Sequence, residues 1–405
     1  MDDDMINRPP IPVTGIGCIC AAGDDLNACL TTLYENHECR HSCPTRFPKT
    51  DEMSCPVFEV NATALSHINR ENRSVTLTTS LALEATSQAL ENAGWSARSL
   101  ANRRVGVCVG TTVGATIISE STYYQWRAGQ HPDIRPMIRN FYSNPASAIA
   151  RHFDLTGPCQ TVVNACASGT DAIGIAASWI RYGLCDIALA GGADELSRIS
   201  YMGFMSLKIM DPGPCRPFDK DRNGLNLGEG AAILLLESPD VNRSSGNRPR
   251  SFVMGYGSAN DAWRMTASRP DGKGLVSAIN QALRDSHADL NQVAFVNCHG
   301  TGTRDNDRVE AHVLADMLPR VPYLSTKGYT GHTLGAAGAI EAALSVACLE
   351  KGLIPSSAGF ETPDPDLPSH PVATSRPIHG NIALSQSLAF GGHNAVLIIG
   401  KEMSL

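Results

Sequence analysis

The sequence predicts an α/β fold built twice over. Three observations carry that prediction: short β-branched runs, several ending in glycine; helix-period stretches between them; and one alanine-rich helical segment in each half of the chain. In order, strands are expected over residues 11–17, 105–110, 161–164, 187–191 and 231–236, then over 252–257, 294–297, 323–325, 382–385 and 395–400. Residues 75–93 place alanines and leucines at three- and four-residue steps, the period of a helix with one buried face. The recurring segments are of equal length, one bounded by Gly169 and Gly183, the other by Gly338 and Gly352. Each follows a strand and a turn rich in small residues, so the two halves are read as related units sharing a core. The polar stretch 238–250, with Pro239, Ser244, Ser245, Gly246 and Pro249, links an N-terminal half over 1–245 to a C-terminal half over 250–405.

Composition agrees with a large enzyme core. A chain of 405 residues, 42% hydrophobic with 36 glycines, can bury a sizeable interior and make many tight turns. A net charge of −7 argues against nucleic acid as a partner, because phosphate binding needs a concentrated positive field. No apolar run approaches the roughly 20 residues that span a bilayer, and the N-terminus lacks the basic-then-apolar plan of a signal peptide. A cytoplasmic protein with no membrane partner is expected. The 13 cysteines are odd in number and scattered, so most are expected to be reduced and buried. His37, Cys39, His41 and Cys43 alternate as they would on one face of a strand, but their spacing matches no zinc motif, and a solvated loop without metal is expected.

Chemistry concentrates at three turns. Cys166 lies in Val-Val-Asn-Ala-Cys-Ala-Ser-Gly-Thr, where an apolar run gives way to small residues and a helix. A thiol at a helix start feels the positive end of the helix dipole, which is expected to lower its pKa. His299, in Asn-Cys-His-Gly-Thr-Gly-Thr, and His332, in Lys-Gly-Tyr-Thr-Gly-His-Thr, each sit in a glycine-rich turn after an apolar run. One thiol and two imidazoles suit covalent acyl transfer, since sulfur can both attack a carbonyl and leave from one. No Walker loop or dinucleotide-binding turn appears, so no cofactor is expected.

With these turns in view, the chain resembles the β-ketoacyl synthase family, specifically the elongating condensing enzymes of bacterial fatty acid and type II polyketide synthesis. The resemblance rests on five segments in the family's order: the Asn164 to Gly169 turn; Arg216-Pro217-Phe218-Asp219 with Gly228-Glu229-Gly230; His299-Gly300-Thr301-Gly302-Thr303; Ser325-Thr326-Lys327 leading to Gly331-His332; and Phe390-Gly391-Gly392-His393-Asn394. It implies a thiolase-like fold, a duplicated αβαβα core with two mixed five-stranded sheets. It implies a decarboxylative condensation between an acyl group on Cys166 and a malonyl unit, both delivered on the phosphopantetheine of an acyl carrier protein. His299 and His332, as neutral hydrogen-bond donors, would stabilise the enolate formed when carbon dioxide leaves, each worth about 2.7–4 kcal/mol in comparable oxyanion sites.

The resemblance assigns further positions. The backbone N–H groups of Cys166 and Phe390 would form the oxyanion hole for acyl transfer. Lys327 would be a fixed positive charge paired with Glu341, keeping the imidazoles neutral. Thr301 and Thr303 match positions that contact the pantetheine arm, while Asp307 and Glu310 are read as structural hydrogen-bond acceptors. Arg70, Arg73 and Lys208 fall where the family docks its acidic carrier. A dimer is implied, either with itself or with a subunit resembling a chain-length factor.

One segment departs from the pattern. Many elongating synthases read Ser-Phe-Gly-Phe-Gly-Gly before the last motif, whereas this chain has Ser387-Leu388-Ala389-Phe390-Gly391-Gly392. Leu388, Ala389 and Phe390 are therefore expected to form a specialised gate, favouring a dedicated pathway such as polyene or aryl-polyene assembly. His393 stands where threonine is common and is given no catalytic role. Two other readings fit the sequence less well. A coenzyme A thiolase would need a second catalytic cysteine near the C-terminus, and none follows Cys348. A non-catalytic chain-length partner would have no use for Cys166, His299, His332 and Lys327 together.

Overall fold

The computed structural model describes residues 9–35, 41–47, 55–61, 76–112, 114, 116–135, 137–138 and 144–401. Ten strands lie where apolar runs were expected: β1 (Ile11–Cys20), β2 (Val105–Gly110), β3 (Cys159–Val162), β4 (Ile187–Asp194), β5 (Gly230–Glu237), β6 (Ser251–Asn260), β7 (Val293–Asn297), β8 (Tyr323–Leu324), β9 (Ile382–Ala389) and β10 (His393–Gly400). Most are buried on both faces, so their sequences read as continuous apolar runs without alternation.

Strand order repeats between the halves. The first five run β3-β2-β4-β5-β1, with β2 parallel to β3 and β4, and β5 antiparallel to β4 and β1. The second five run β8-β7-β9-β10-β6, with β7 parallel to β8 and β9, and β10 antiparallel to β9 and β6. Order and polarity coincide at every position. The two five-stranded sheets are joined: Ile11, Pro12 and Val13 pair with Val253, Phe252 and Ser251, giving ten strands in one hydrogen-bonded series.

Five helices complete the layers. On the outer face of the first sheet, α1 (Leu77–Asn92) packs Leu81 and Ala85 with Leu189 and Leu235. Outside the second sheet, α3 (Lys273–Ser286) and α4 (Arg304–Met317) pack Leu275, Ile279 and Val313 with Val296 and Ile398. Between the sheets lie α2 (Ser168–Arg181) and α5 (Ala337–Lys351), the two alanine-rich repeats. Ala172, Ala176, Ala339 and Ala343 share one cluster with Leu234 of the first sheet and Leu397 of the second. Every residue of α5 up to Leu349 is buried, as expected of a helix covered all round. The linking stretch holds a short helix, Pro239–Ser245, whose N-cap Ser238 accepts from the Val241 N–H.

Small residues where the two central helices begin bring the halves' turns together. A Cβ on Gly169 or Gly192 would lie 2.8 or 2.5 Å from the Gly335 carbonyl oxygen. Only glycine permits that approach, and it places the turn before α2 beside the turn before α5.

Candidate active site

Cys166 lies in the turn that enters α2, and its neighbour Ala165 has a left-handed φ of 47°. Few non-glycine residues adopt that conformation, and here it is held by contacts on both sides. The Ser168 hydroxyl donates to the Ala165 carbonyl at 2.6 Å and accepts from the Asn164 N–H at 2.8 Å. Thr112 also donates to the Ala165 carbonyl, at 2.9 Å. The thiol is thereby aimed across the interface between the halves, where His332 Nε2 stands 3.0 Å from its sulfur.

Burial decides the protonation of that thiol. Desolvation raises its pKa to about 12, against smaller lowering effects from the Lys327 charge and from the backbone N–H groups of Phe390 and Cys166. The expectation of a depressed pKa is therefore corrected: the helix start is present, but a thiolate at a 5% exposed position costs more than the dipole returns. The same two N–H groups face the sulfur, and they are the pair expected to form an oxyanion hole.

The histidines are neutral for a related reason. Both are buried, their rings meet edge to face with centroids 5.1 Å apart, and both pKa values fall well below the ordinary range. Burial is the larger cause and the Lys327 charge the second. Lys327 Nζ lies 3.2 Å from His299 Nδ1 and also donates to the His299 carbonyl and to Glu341. An ammonium has no lone pair, so His299 Nδ1 must accept and its proton resides on Nε2. His332 Nδ1 has no partner among the described residues. A proton there would be an unpaired buried donor, whereas Nε2 has the sulfur before it, so His332 also carries its proton on Nε2.

Acidic residues hold these turns from behind. Glu310 accepts from the His299 and Gly300 N–H groups at 2.7 Å each, and from Asn306 and Gln386. Burial nonetheless lifts its pKa to about 7. Asp307 accepts from the Phe218 N–H at 2.7 Å and the Gly302 N–H at 3.2 Å, tying the Arg216 to Asp219 segment to the His299 turn. Glu341 pairs with Lys327, and burial raises its pKa to about 7.

Cys166, His299 and His332 share one cavity of about 310 Å³, lined also by Thr301, Thr303, Phe390 and, at an exposed position, Lys208. Leu388 and Ala389 line it too, but they are the last residues of β9, paired with Asn394 and His393. The non-strand turn is Phe390, Gly391 and Gly392, so of the three expected gate residues only Phe390 lies outside the strands. Phe390 stacks on Phe204 at 5.6 Å.

Residues 8–241 match the β-ketoacyl synthase N-terminal domain, and residues 250–361 match the β-ketoacyl synthase C-terminal domain. The chain belongs to the β-ketoacyl synthase family. Similar proteins include a 3-oxoacyl-[acyl-carrier-protein] synthase 2 from Synechocystis, 32% identical across 98% of this chain and 99% of its own. A putative polyketide β-ketoacyl synthase 1 from Streptomyces cyaneus is 32% identical across 96% of this chain and 98% of its own. Among solved structures, the ishigamide ketosynthase/chain length factor is similar with a TM-score of 0.91 and 30% identity, covering 98% of this chain and 100% of that one. A ketosynthase in complex with its chain length factor from Xenorhabdus doucetiae gives 0.84 at 30% identity, covering 97% and 98%. As a β-ketoacyl synthase, this protein is an acyltransferase.

Arg70, Arg73, His37 and Cys39 lie outside the described residues, while His41 and Cys43 are exposed. Asn394 donates to Asp261 at 2.9 Å, and His393 faces Asp171. Besides the catalytic-type cluster, the described residues contain one other group of thiols close enough to share an ion: Cys18, Cys20 and Cys29, within 4.8 Å of one another in the core. Sequence reasoning missed Asp194, which accepts from the Thr111 hydroxyl, the Thr112 N–H and the Gly335 N–H at 2.6, 2.8 and 2.7 Å. It staples the first half's strands to the His332 side of the site, and an acidic pair, Asp194-Glu195, closing an apolar run was its only signal.

Proposed function

We propose that this β-ketoacyl synthase condenses an acyl group held on Cys166 with malonyl-[acyl carrier protein], lengthening the chain by two carbons. The observation that carries the residue assignment is the convergence of a buried thiol and two Nε2-protonated imidazoles on one cavity. In the first step, sulfur attacks the acyl thioester while the Cys166 and Phe390 N–H groups take the developing oxyanion. The thiol proton goes in net terms to the departing pantetheine thiolate. In the second, the malonyl carboxylate leaves as carbon dioxide, and the enolate oxygen receives hydrogen bonds from His299 and His332. The enolate carbon attacks the Cys166 thioester and sulfur leaves as thiolate, which takes a proton from water to restore the resting neutral thiol. Lys327 never transfers a proton in this scheme: its charge adds to burial in keeping both imidazoles neutral and fixes the His299 tautomer.

An acyl carrier protein is the proposed donor of both substrates, docking near Lys208 at the cavity mouth. The edge strand β3, with Cys159 and Gln160 exposed and Val163 68% exposed beside it, supports dimerisation there, with a second copy or a chain-length-factor-like subunit. The changed gate supports a polyene or aryl-polyene pathway. Mass spectrometry of the Cys166 peptide after incubation with acyl carrier substrates tests the core reading. Wild-type enzyme should carry the acyl mass and release the elongated ketone, and Cys166→Ala should do neither. Better use of long saturated primers than of unsaturated or aryl ones would count against the pathway assignment.

A further inference from the structure

We infer that His393 is a positioning residue that latches the Phe390 turn to the helix bearing the nucleophile, through Asp171. His393 begins β10 and pairs with Ala389, the last residue of β9, so it stands at the base of the hairpin whose tip is Phe390-Gly391-Gly392. Its Nε2 lies 3.0 Å from Asp171 Oδ2 and 3.3 Å from the Ser258 hydroxyl. Facing a carboxylate that can only accept, Nε2 carries the proton. His393 does not line the cavity.

Asp171 makes the arrangement more than a local contact. It lies in the first turn of α2, 3% exposed. Its carboxylate also accepts from Asn164 Nδ2 at 2.6 Å and from the Tyr256 hydroxyl at 2.7 Å. Asn164 opens the strained turn that presents Cys166, so one carboxylate holds the root of the nucleophile's turn and the root of the gate's turn. A second tie runs alongside, with Thr170 and Ser387 hydroxyls 2.8 Å apart. Between these anchors and the cavity only residues 390–392 lie outside the strands. The latch confines gate movement to those residues and keeps the Phe390 N–H in register with the Cys166 sulfur.

This inference rests on the proposed condensing reaction. The test compares His393→Leu, which fills space without donating, with His393→Gln, which keeps an amide donor. Three quantities are measured: the ratio of acyl-Cys166 hydrolysis to condensation, amide hydrogen exchange at Gly391 and Gly392, and Tm. His393→Leu should raise the hydrolysis ratio about tenfold, the size of one charge-assisted hydrogen bond. It should also speed exchange at both glycines, while His393→Gln stays near wild type and neither variant moves Tm by more than a few degrees. A wild-type ratio and wild-type exchange in His393→Leu would overturn the latch even with condensation intact, as would equal losses in the two variants. A wild-type enzyme that never becomes acylated overturns the functional reading and the latch with it.

Discussion

Alkylation of Cys166 with iodoacetamide, followed peptide by peptide, distinguishes a buried neutral thiol from a dipole-activated thiolate. With the pKa pushed up to about 12 by burial, the thiolate fraction at pH 7.5 is about 3 × 10⁻⁵, against about 0.1 for a free cysteine of pKa near 8.5. That alone is a deficit of roughly 3,000-fold. A more basic thiolate is intrinsically more nucleophilic, and a Brønsted slope of 0.4–0.5 over about 3.5 pK units returns roughly 25- to 55-fold. The net expectation is alkylation about 10²-fold slower than free cysteine at pH 7.5, before any steric hindrance. Steric hindrance would lower the rate at every pH alike, so the pH dependence is the sharper observable. The logarithm of the rate should rise with a slope near one from pH 6.5 to pH 9.5 without levelling off. A plateau beginning below pH 9 would refute the reasoning, because it would mean the helix start and Lys327 outweigh desolvation.

Lys327→Met removes the charge that is the second cause, after burial, of the low histidine pKa values. Condensation needs neutral imidazoles, so the acid limb of its pH–rate profile should move upward from well below pH 6.5 toward that value. Glu341, held at a pKa of about 7 even beside Lys327, should take up a proton once that charge is gone, so the loss in urea unfolding should stay below the roughly 3–5 kcal/mol of a stranded buried charge. Arg222→Met strips the 1% exposed guanidinium that binds Asp364 at 2.6 Å and approaches Asp307 at 3.5 Å. A loss of about 3–5 kcal/mol in the same assay is expected, with kcat of the folded fraction changed far less than by Lys327→Met. Ala165→Gly relaxes the left-handed φ and should leave Tm within a few degrees of wild type, while the freer turn lowers the rate of Cys166 acylation.

The strands were legible because burial on both faces writes itself as an uninterrupted apolar run; β2 and β5 read almost to the residue, whereas β4 runs three residues past its expected end. β3 was displaced: the expected strand ran to Asn164, but Asn164 belongs to the turn because its side chain is committed to Asp171. Nothing in Val162-Val163-Asn164 announces that commitment, since the partner lies on the following helix. Alanine-rich repeats disclosed the duplication. What composition could not disclose is that Ile11, Pro12 and Val13 would pair with β6 and run the two sheets into one series, a matter of register between segments some 240 residues apart.

The site divides along a physical line. Residues whose chemistry is intrinsic, a thiol or an imidazole in a small-residue turn, stand out from their neighbours in a single sequence. Residues that act by holding backbone do not: Asp194 and Asp171 look like ordinary acids until their donors, three from distant segments in one case and two in the other besides His393, are seen converging. The raised pKa of Cys166 escapes the sequence for the same reason. A helix start is local and can be read, whereas desolvation is set by the His332 turn and the Phe390 turn closing over the sulfur from the other half of the chain. Local sequence therefore overstates activation wherever a nucleophile lies between two domains' worth of packing.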